Sequence, residues 1–558
     1  MTLHSSSVPS LGAFLFDYLY KEKNIHHAFG IPGDFALSTF RWLEQSHIEL
    51  ITMTHEPSVG FAADSYARVN GLGLACVTYC VGGLNMINSV ACAYAEKSPV
   101  IVLSGGPSVN DRRNDPLLHH KVKTFDTQRR IYEEVTCANT VLLDAKTAVS
   151  EIMRVVETVQ AECRPGYIEI PYDIVDLPVI MPAYIPQVIA PESDVEALND
   201  FIKEVTDTIN TAKQPVIIAD IELQRHGLTD KVLEIATKFN IPIAATLLSK
   251  SIISETHPLY IGVYSGGLSE AATQQYVEES DCVLMLGTFI TDVFLGQYTA
   301  HLDRKKSIVV TTEKATIGLH AYNNIRFDDF LDSLRNAPIC RKEPFINPCP
   351  AIDITPLMPA EYDDPINAED FFKILSLHIG ADCTVVCDTG DSLLGAIGLR
   401  TSKHKNFLSD AYYLSMGFAV PAAIGALAGN KTGRVFAIVG DGAFQMTGME
   451  LSTAVKYKMA PIVLILNNDG YGTQRHIIDG QFNVITMWDY TKVTDVIRSG
   501  FSARATTKKQ LQDALVKATY SNEIAVIEVV IPRDSCSPSL RKMGEQLGKL
   551  RRNEEKHE

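Results

Sequence analysis

The chain has 558 residues, 46% of them hydrophobic, and a formal net charge of −16 at pH 7. This length and this hydrophobic fraction indicate a large globular protein with several domains and several buried cores. The acidic balance argues against a nucleic-acid partner, because affinity for a phosphate backbone comes mainly from clustered Lys and Arg.

The N-terminal stretch contains a short apolar patch that Asp17 interrupts before a basic cluster. This pattern is typical of an amphipathic helix rather than a secretion signal. No uninterrupted apolar run along the chain approaches the roughly 18 to 20 residues that cross a bilayer. The sequence therefore predicts a cytoplasmic protein without a membrane partner.

In the first third, short β-branched runs alternate with amphipathic helical stretches, which predicts parallel βαβ units. Three segments there carry polar side chains: FGIPGD ends at Asp34, ELITMT runs into His55-Glu56, and LLHHKVKT contains His119 and His120. A helix is predicted after Glu56. Taken alone, Glu56 is better interpreted as an acid that the dipole of this helix favours.

Two proline-rich passages, residues 171–191 and 338–365, divide the chain into thirds. The predicted domains are residues 1–185, 186–345 and 346–558. The middle third repeats the strand pattern in PVIIAD, IPIAATLLS, DCVLMLGTFIT and SIVVTT. We therefore expect an α/β protein with three open, mostly parallel, doubly wound domains.

The last third contains the strongest chemical pattern. The strand RVFAIV runs into Gly440-Asp441-Gly442, and about two dozen residues later the strand PIVLIL runs into Asn467-Asn468. A right-handed βαβ crossover places the carboxyl ends of two such strands side by side, where open α/β sheets bind ligands. Asp441 and Asn468 are therefore predicted to share one site.

A carboxylate, a carboxamide oxygen and a backbone carbonyl, for which we propose Gly470, are hard ligands suited to Mg²⁺. The glycines would let the backbone approach a diphosphate, and a helix expected to begin near Thr447 would offer free N–H groups. The alternative interpretation of Gly-Asp-Gly is an ordinary turn.

GDG, about two dozen residues and then NN resembles the diphosphate-binding signature of the thiamine-diphosphate enzyme family. FGIPGD and LLHHKVKT resemble the corresponding segments of its non-oxidative 2-oxo acid decarboxylases, and LLHHKVKTFDTQRRIYEEVT is similar to the phenylpyruvate and indolepyruvate decarboxylase branch. The resemblance touches all three thirds and implies a pyrimidine-binding, a middle and a diphosphate-binding domain.

The resemblance also implies roles for individual residues. Glu56 would hydrogen-bond the pyrimidine ring and favour the tautomer that removes the thiazolium C2 proton, while Asp34, His119 and His120 would relay protons during the reaction. Thr389 would contact the diphosphate half. Leu414 would accept the aminopyrimidine N–H and Met416 would bend the cofactor, although core packing explains these two equally well. The remaining expected cofactor contacts are Ser415, Asp441, Gly442, Ala443, Asn468, Gly470 and Tyr471.

One position departs from the pattern of pyruvate decarboxylases. They carry a glutamate six residues after the metal-binding asparagine, where this chain has Gln474, and an amide cannot donate a proton as an acid. Leu393 stands where pyruvate-specialised members often have a bulky aromatic residue. The differences at Gln474 and at Leu393 both favour a roomier substrate pocket. Asp292 of GTFITDVF is assigned to the same pocket.

The predicted function is non-oxidative decarboxylation of an aryl or longer aliphatic 2-oxo acid, such as phenylpyruvate or indolepyruvate, to an aldehyde and CO₂. The alternatives are a pyruvate decarboxylase, an acyloin-forming carboligase and a non-catalytic cofactor-binding paralogue. The family places the cofactor between the first domain of one subunit and the third domain of another. A homodimer at minimum, and a homotetramer as the expected state, is therefore implied.

Overall fold

The computed structural model of the chain describes residues 8–182, 192–340, 345–349, 358–430 and 433–554. The chain forms two compact units, each of which is described by itself. Unit 1 comprises Met1–Ile189, Val420–Thr432 and Thr447–Met459, and unit 2 comprises Ala190–Ala419, Gly433–Met446 and Ala460–Glu558. The predicted boundary between residues 185 and 186 lies outside the described residues. The boundary between residues 345 and 346 stays a prediction.

Unit 1 contains a sheet of six parallel strands in the order β2-β1-β3-β4-β6-β5. The strands are β1 (His27–Gly30), β2 (Glu49–Thr52), β3 (Gly73–Val77), β4 (Val100–Gly106), β5 (Ala138–Val141) and β6 (Gly166–Pro171). The helices between them are α1 (Leu11–Lys21), α2 (Leu37–Gln45), α3 (Glu56–Asn70), α4 (Val81–Asn85), α5 (Ile87–Ala95), α6 (Val109–Asn114), α7 (Thr127–Glu133) and α8 (Ala145–Glu162). The central strands β3 and β4 are buried on both faces, which explains their near-continuous apolar sequences.

Unit 2 contains two sheets. The first has seven strands in the order β13-β12-β11-β10-β7-β8-β9, parallel except for β12 and β13. Its strands are β7 (Pro215–Ala219), β8 (Ile243–Ala245), β9 (Tyr260–Val263), β10 (Cys282–Leu286), β11 (Ser307–Val310), β12 (Ala315–Ile317) and β13 (His320–Tyr322). The accompanying helices are α9 (Val195–Thr211), α10 (Ile221–Arg225), α11 (Thr229–Phe239), α12 (Ala271–Glu278) and α13 (Phe327–Asn336).

The second sheet of unit 2 has six parallel strands in the order β15-β14-β16-β17-β19-β18. The strands are β14 (Cys383–Cys387), β15 (Phe407–Ser409), β16 (Arg434–Gly440), β17 (Ile462–Asn467), β18 (Phe501–Ala505) and β19 (Ala525–Val530). The helices of this region are α14 (Ala368–Ser376), α15 (Asp391–Leu394), α16 (Ala419–Gly429), α17 (Asp441–Thr447), α18 (Leu451–Lys456), α19 (Gly472–Arg475), α20 (Val493–Ile497), α21 (Lys508–Tyr520) and α22 (Pro538–Glu554). Helix α18 and nearly all of α16 belong to unit 1.

The first and third sheets share one topology, because the strand orders 2-1-3-4-6-5 and 15-14-16-17-19-18 are equivalent. In both, the order reverses beside the first strand of the sheet, where open α/β sheets bind ligands at the carboxyl ends of their strands. The predicted α/β architecture of three mostly parallel sheets is confirmed. Among the described residues, no helix combines the length and apolar character needed to cross a membrane.

Candidate active site

The predicted metal site lies at the carboxyl ends of β16 and β17, which are paired with Gly440 opposite Leu466. Asp441 follows β16 and is only 1% exposed. Its Oδ2 accepts the backbone N–H of Gly470 at 2.9 Å, and its Oδ1 accepts that of Gly442 at 2.7 Å. The crossover geometry thus brings the Asp441 carboxylate onto the loop that carries Asn468 and Gly470.

The chemistry of these donors fits a hard cation. Burial raises the pKa of Asp441 to about 6, although the N–H groups of Gly470 and Gly442 act in the opposite direction. A bound cation would remove this penalty, because it stabilises the charged carboxylate. Oxygen atoms of Asp441 and of the Asn468 amide, with a backbone carbonyl, are the ligand types that Mg²⁺ takes. The carbonyl of Gly470 already accepts the N–H of Gly472 at 2.8 Å, which leaves one lone pair.

Glycine is required in the loop beside Asp441. Gly470 has φ +121°, and a Cβ there would lie 2.2 Å from the carbonyl oxygen of Asn483. A Cβ on Gly442 would lie 2.6 Å from the ring of Tyr471, so this ring covers the backbone of Gly442. The backbone at Gly470 and Gly442 has no room for side chains, because Asn483 and Tyr471 occupy that space, and the close approach to a diphosphate stays a prediction.

The expected helix start near Thr447 is wrong. Helix α17 begins at Asp441 and ends at Thr447. Gly440 ends strand β16, Asp441 and Gly442 therefore begin the first helical turn instead of a loop before it, and Ala443 lies buried within that turn. The N–H groups without partners inside a helix are those of its first turn, so they belong to residues nearer Asp441 than predicted.

A second anchoring element, which the sequence did not reveal, follows β14. Asp388 is fully buried and accepts backbone N–H groups of Thr389 at 3.1 Å, Gly417 at 3.1 Å and Ala419 at 2.9 Å. Burial raises the pKa of Asp388 to about 6, against the effect of these hydrogen bonds. The carboxylate thereby joins two predicted cofactor-contacting segments, the one at Thr389 and the one that contains Ser415. A lone Asp after a strand carries no signal for this role.

Leu414 and Met416 are not core residues of unit 2. Their exposed fractions are 40% and 37%, which counts against the alternative of core packing. Leu414 also has φ +59°, a left-handed conformation that costs a leucine roughly 1 to 3 kcal/mol. Such strain persists only where the surroundings hold it, and it is commonest at ligand-binding sites.

In unit 1, Asp34 follows β1 and meets the two predicted histidines. Nε2 of His119 lies 2.5 Å from Oδ2 of Asp34, and the potential ligand atoms of Asp34, His119 and His120 all lie within 4.8 Å of one another. The ring of Phe35 stacks on His119 with centroids 4.8 Å apart and meets the edge of His120 at 5.7 Å. The sequence prediction that these three side chains form one cluster agrees with this geometry.

The cluster is open to solvent. The side chains of Asp34 and His119 are 53% and 55% exposed. Partial burial alone would raise the pKa of Asp34, but the hydrogen bonds with His119 and with the Phe35 N–H hold it below its ordinary value. His120 has φ +66°, and its buried Nδ1 has no hydrogen-bond partner among the described residues. The arrangement can move protons between a carboxylate and two imidazoles near neutral pH.

Behind this cluster lies a buried polar network that sequence reasoning missed. The Glu169 carboxylate binds the Arg112 guanidinium and accepts the Tyr167 hydroxyl at 2.6 Å. The same hydroxyl accepts from the Gln128 amide at 2.6 Å. Burial raises the pKa of Glu169 to about 7, while the Arg112 guanidinium opposes that rise. The four residues of this network lie in the segments DRRN, DTQRR and RPGYIEIP. In these segments the sequence shows only a pattern of apolar and basic residues, which does not indicate the network.

Glu56 is the first residue of α3, as expected, and is half-buried. The preceding backbone is held by Glu450, a buried residue whose carboxylate accepts the N–H groups of Thr54 at 3.1 Å and His55 at 3.0 Å. The junction between β2 and α3 is therefore fixed, with the Glu56 side chain projecting from a defined helix start.

The three predicted substrate-pocket residues differ in their surroundings. Gln474 is exposed on α19. The Asp292 carboxylate is half-buried and makes no hydrogen bond or ion pair within the described residues. Leu393 is 1% exposed and packs in the apolar core of the third sheet, so its side chain does not line an open cavity in this unit. The three assignments stay predictions, and that of Leu393 has no support from its burial.

Family models match all three regions of the chain. "Thiamine pyrophosphate enzyme, N-terminal TPP binding domain" matches residues 10–129, the corresponding "central domain" matches residues 202–327, and "C-terminal TPP binding domain" matches residues 388–529. The first contains Asp34, Glu56, His119 and His120. The last contains the Asp441 site.

Full-length relatives are decarboxylases. An indole-3-pyruvate decarboxylase of Azospirillum brasilense is 34% identical over 532 residues, which cover 93% of this chain and 95% of the relative. Pyruvate decarboxylase 1 of Oryza sativa subsp. indica is 30% identical, covering 93% and 88%, and that of Pisum sativum is 30% identical, covering 94% and 91%. The chain therefore belongs to the thiamine-diphosphate-dependent 2-oxo acid decarboxylases.

Proposed function

We propose that this enzyme acts preferentially on aryl or longer aliphatic 2-oxo acids, such as phenylpyruvate or indolepyruvate, and releases CO₂ and the aldehyde. The observation that carries this proposal is Gln474, an amide where pyruvate decarboxylases have a carboxylic acid. Similarity to a relative named indole-3-pyruvate decarboxylase supports the same choice. Pyruvate is the second candidate, because the other relatives compared are pyruvate decarboxylases.

In the proposed mechanism, Asp441, Asn468 and Gly470 would hold Mg²⁺, and Gly442, Ala443, Tyr471 and Thr389 would contact the diphosphate half of the cofactor. The carbonyl of Leu414 accepts the aminopyrimidine N–H, with Met416 and Ser415 on the same segment. Once bound, thiamine diphosphate supplies the electron sink for decarboxylation. The buried Asp441 and Asp388 fix this anchoring surface before the cofactor arrives, which lowers the ordering cost of binding.

Glu56 holds the pyrimidine ring nitrogen through its carboxylate, and so favours the tautomer that the reaction needs. Asp34, His119 and His120 hold and deliver the proton that the product requires before the aldehyde leaves. The hydrogen bond between Asp34 and His119 orients the imidazole. Since Gln474 cannot act as an acid, this cluster is the proposed source of that proton, with Asp292 as a further candidate.

The test is a substrate panel. The full-length protein, loaded with thiamine diphosphate and Mg²⁺, is given pyruvate, branched-chain, long-chain, phenylpyruvic and indolepyruvic acids, and both CO₂ and the organic product are measured. We expect aldehyde as the main product and kcat/KM highest for an aryl or long aliphatic acid. A preference for pyruvate would overturn the substrate proposal. Acyloin as the main product would identify a carboligase, and a single stoichiometric CO₂ burst would identify a non-catalytic paralogue.

We further propose that the enzyme is a homodimer at minimum and a homotetramer in its full assembly, with Glu56 of one subunit and Asp441 of another serving one cofactor. Family membership supports this arrangement. Mixing inactive Glu56→Gln and Asp441→Asn proteins under subunit exchange should restore up to a quarter of the activity. No recovery, despite exchange shown by light scattering and labelled subunits, would contradict it.

A further inference from the structure

The Glu56 carboxylate is held by one side chain that no part of the mechanism above uses. Nδ2 of Asn85 donates a hydrogen bond to Oε2 of Glu56 at 2.7 Å. Within the described residues, Oε1 has no hydrogen-bond donor. It faces Gly82, where an added Cβ would lie 3.7 Å away. The two oxygens of one carboxylate thus differ, because one is engaged and the other is available to a ligand.

Asn85 is the last residue of α4, and α4 is rigidly anchored at its beginning. The preceding residue, Cys80, has φ +54°, and its N–H donates to the buried amide oxygen of Gln128 at 2.6 Å. The hydroxyl of Tyr132 donates to the carbonyl of Gly83 at 2.8 Å. A Cβ on Gly83 would lie only 2.3 Å from the Gln128 oxygen, so glycine allows this close contact.

The spacing between Asn85 and Glu56 is also fixed by packing. Helices α3 and α5 touch at Gly60, where an added Cβ would lie 2.0 Å from the Ser89 hydroxyl and 3.2 Å from the Met86 side chain. Met86 directly follows Asn85, and both Met86 and Ser89 are fully buried. The amide is therefore carried to Glu56 by a packed helix junction rather than by a loose surface loop.

We propose that Asn85 is a positioning residue, which orients the Glu56 carboxylate by holding Oε2 and leaves Oε1 available to the pyrimidine ring nitrogen. This inference rests on the proposed role of Glu56. An amide N–H donor stabilises the ionised carboxylate relative to the protonated one. The other titratable groups at this junction are His55, next in the chain, and Glu450, which accepts the His55 N–H. Both are retained in the variants below.

The test uses two near-isosteric changes, Asn85→Leu and Asn85→Asp, in the full-length holoprotein. Leucine removes the donor, and aspartate places a second carboxylate against Glu56. The first readout is deuterium exchange at C2 of bound thiamine diphosphate without substrate, followed by NMR after quenching. The second is the dissociation constant of thiamine diphosphate. The control is Asn110→Asp, which adds the same charge at an exposed position of α6 in unit 1.

We expect Asn85→Leu to slow C2 exchange about tenfold, since a hydrogen bond to a charged group is lost. Asn85→Asp should slow it about a hundredfold and move the acid limb of its pH profile upward by about one pH unit, because a like charge disfavours ionised Glu56. The control should match the wild type. A residue that only supported the fold would lower the melting temperature without moving this limb.

Unchanged exchange and an unchanged acid limb in both variants, beside a wild type that exchanges rapidly, would overturn the role of Asn85 alone. A wild-type protein that binds the cofactor but does not accelerate C2 exchange would overturn the proposed function of Glu56, and the Asn85 assignment with it. The two failures are therefore distinguished by the wild-type measurement.

Discussion

Asp441 and Asp34 are both carboxylates that follow a central β-strand, but the protein holds them in opposite ways. Asp441 is 1% exposed, its oxygens accept backbone N–H groups, and burial raises its pKa to about 6. The Asp34 side chain is 53% exposed and paired with His119, and its pKa is held below the ordinary value.

The contrast separates anchoring from reaction. Backbone donors around Asp441 and Asp388 cannot rotate away, so they build a rigid surface, which we propose binds a cation and a diphosphate. The cluster of Asp34, His119 and His120 consists of side chains that share one aromatic support, Phe35. Side chains with access to solvent can exchange protons, which a fully buried carboxylate cannot do as readily.

The largest effect is expected from a substitution in the anchoring surface around Asp441 and Asp388. Asp441→Asn removes the negative charge that a cation needs, so Mg²⁺-dependent binding of thiamine diphosphate should be lost. Turnover should fall roughly a thousandfold or more, because several kcal/mol of metal interaction disappear. Calorimetric titration of the cofactor in the presence of Mg²⁺ checks the affinity.

Asp469→Asn is the matched control, because Asp469 lies on the same loop but is half-buried and pairs with Arg533 only at 3.6 Å. Asparagine also tolerates its left-handed φ of +65°. Equal losses of cofactor binding in both variants would show that loop charge, rather than a ligand at Asp441, carries the affinity.

A smaller effect is expected from a substitution in the cluster of Asp34, His119 and His120. Asp34→Asn removes the carboxylate that orients His119 and takes part in the proposed proton relay, so kcat should fall about a hundredfold while cofactor affinity stays within about twofold. Steady-state kinetics and cofactor titration measure the two quantities. Asp115→Asn, an exposed acid near the same histidines in sequence, should leave both unchanged. A parallel loss of cofactor affinity in Asp34→Asn would remove the distinction between this cluster and the anchoring surface.

The smallest effect concerns pH. The pKa of Asp441 lies above its ordinary value in the protein without metal, so protons compete with Mg²⁺ from about pH 6 downward. Mg²⁺-dependent cofactor affinity should be constant above about pH 7 and weaken by about tenfold per pH unit below about pH 6. The control is titration with a chelator present, which should remove the dependence. A Mg²⁺-dependent cofactor affinity that stays constant down to pH 5 would contradict the predicted competition between protons and Mg²⁺ at Asp441.

Spacing rules predicted the parts of the site that depend on strand ends. Asp441 and Asn468 follow adjacent parallel strands, whose carboxyl ends meet at one edge of a sheet, whereas Asp34 and Glu56 were assigned through the resemblance to the family. The helix start near Thr447 was misplaced, because the glycines of GDG suggested a loop, although the helix begins within it. Glycine in the first turn of α17 costs little helix stability, since this turn is fixed by strand β16 and by Asp441 itself.

Contacts between distant segments could not be predicted from one sequence. Asp388 binds N–H groups some thirty residues later, and Glu169 meets Arg112 across two strands. Neither carries a local motif. The orientation of the Leu393 side chain could not be predicted either, because its likeness to a pocket position does not say whether the side chain turns toward a pocket or into the core. The structure buries that side chain in the core.

The left-handed Leu414 has a consequence for laboratory evolution. Glycine adopts φ +59° without strain, so selection for heat tolerance alone is expected to favour Leu414→Gly. The same change would make the segment that contains Leu414 more flexible. The protein would then lose its cofactor more readily during dilution or storage. Variants selected for thermostability should therefore be assayed at a limiting concentration of thiamine diphosphate. Under that condition, weaker cofactor binding lowers their activity.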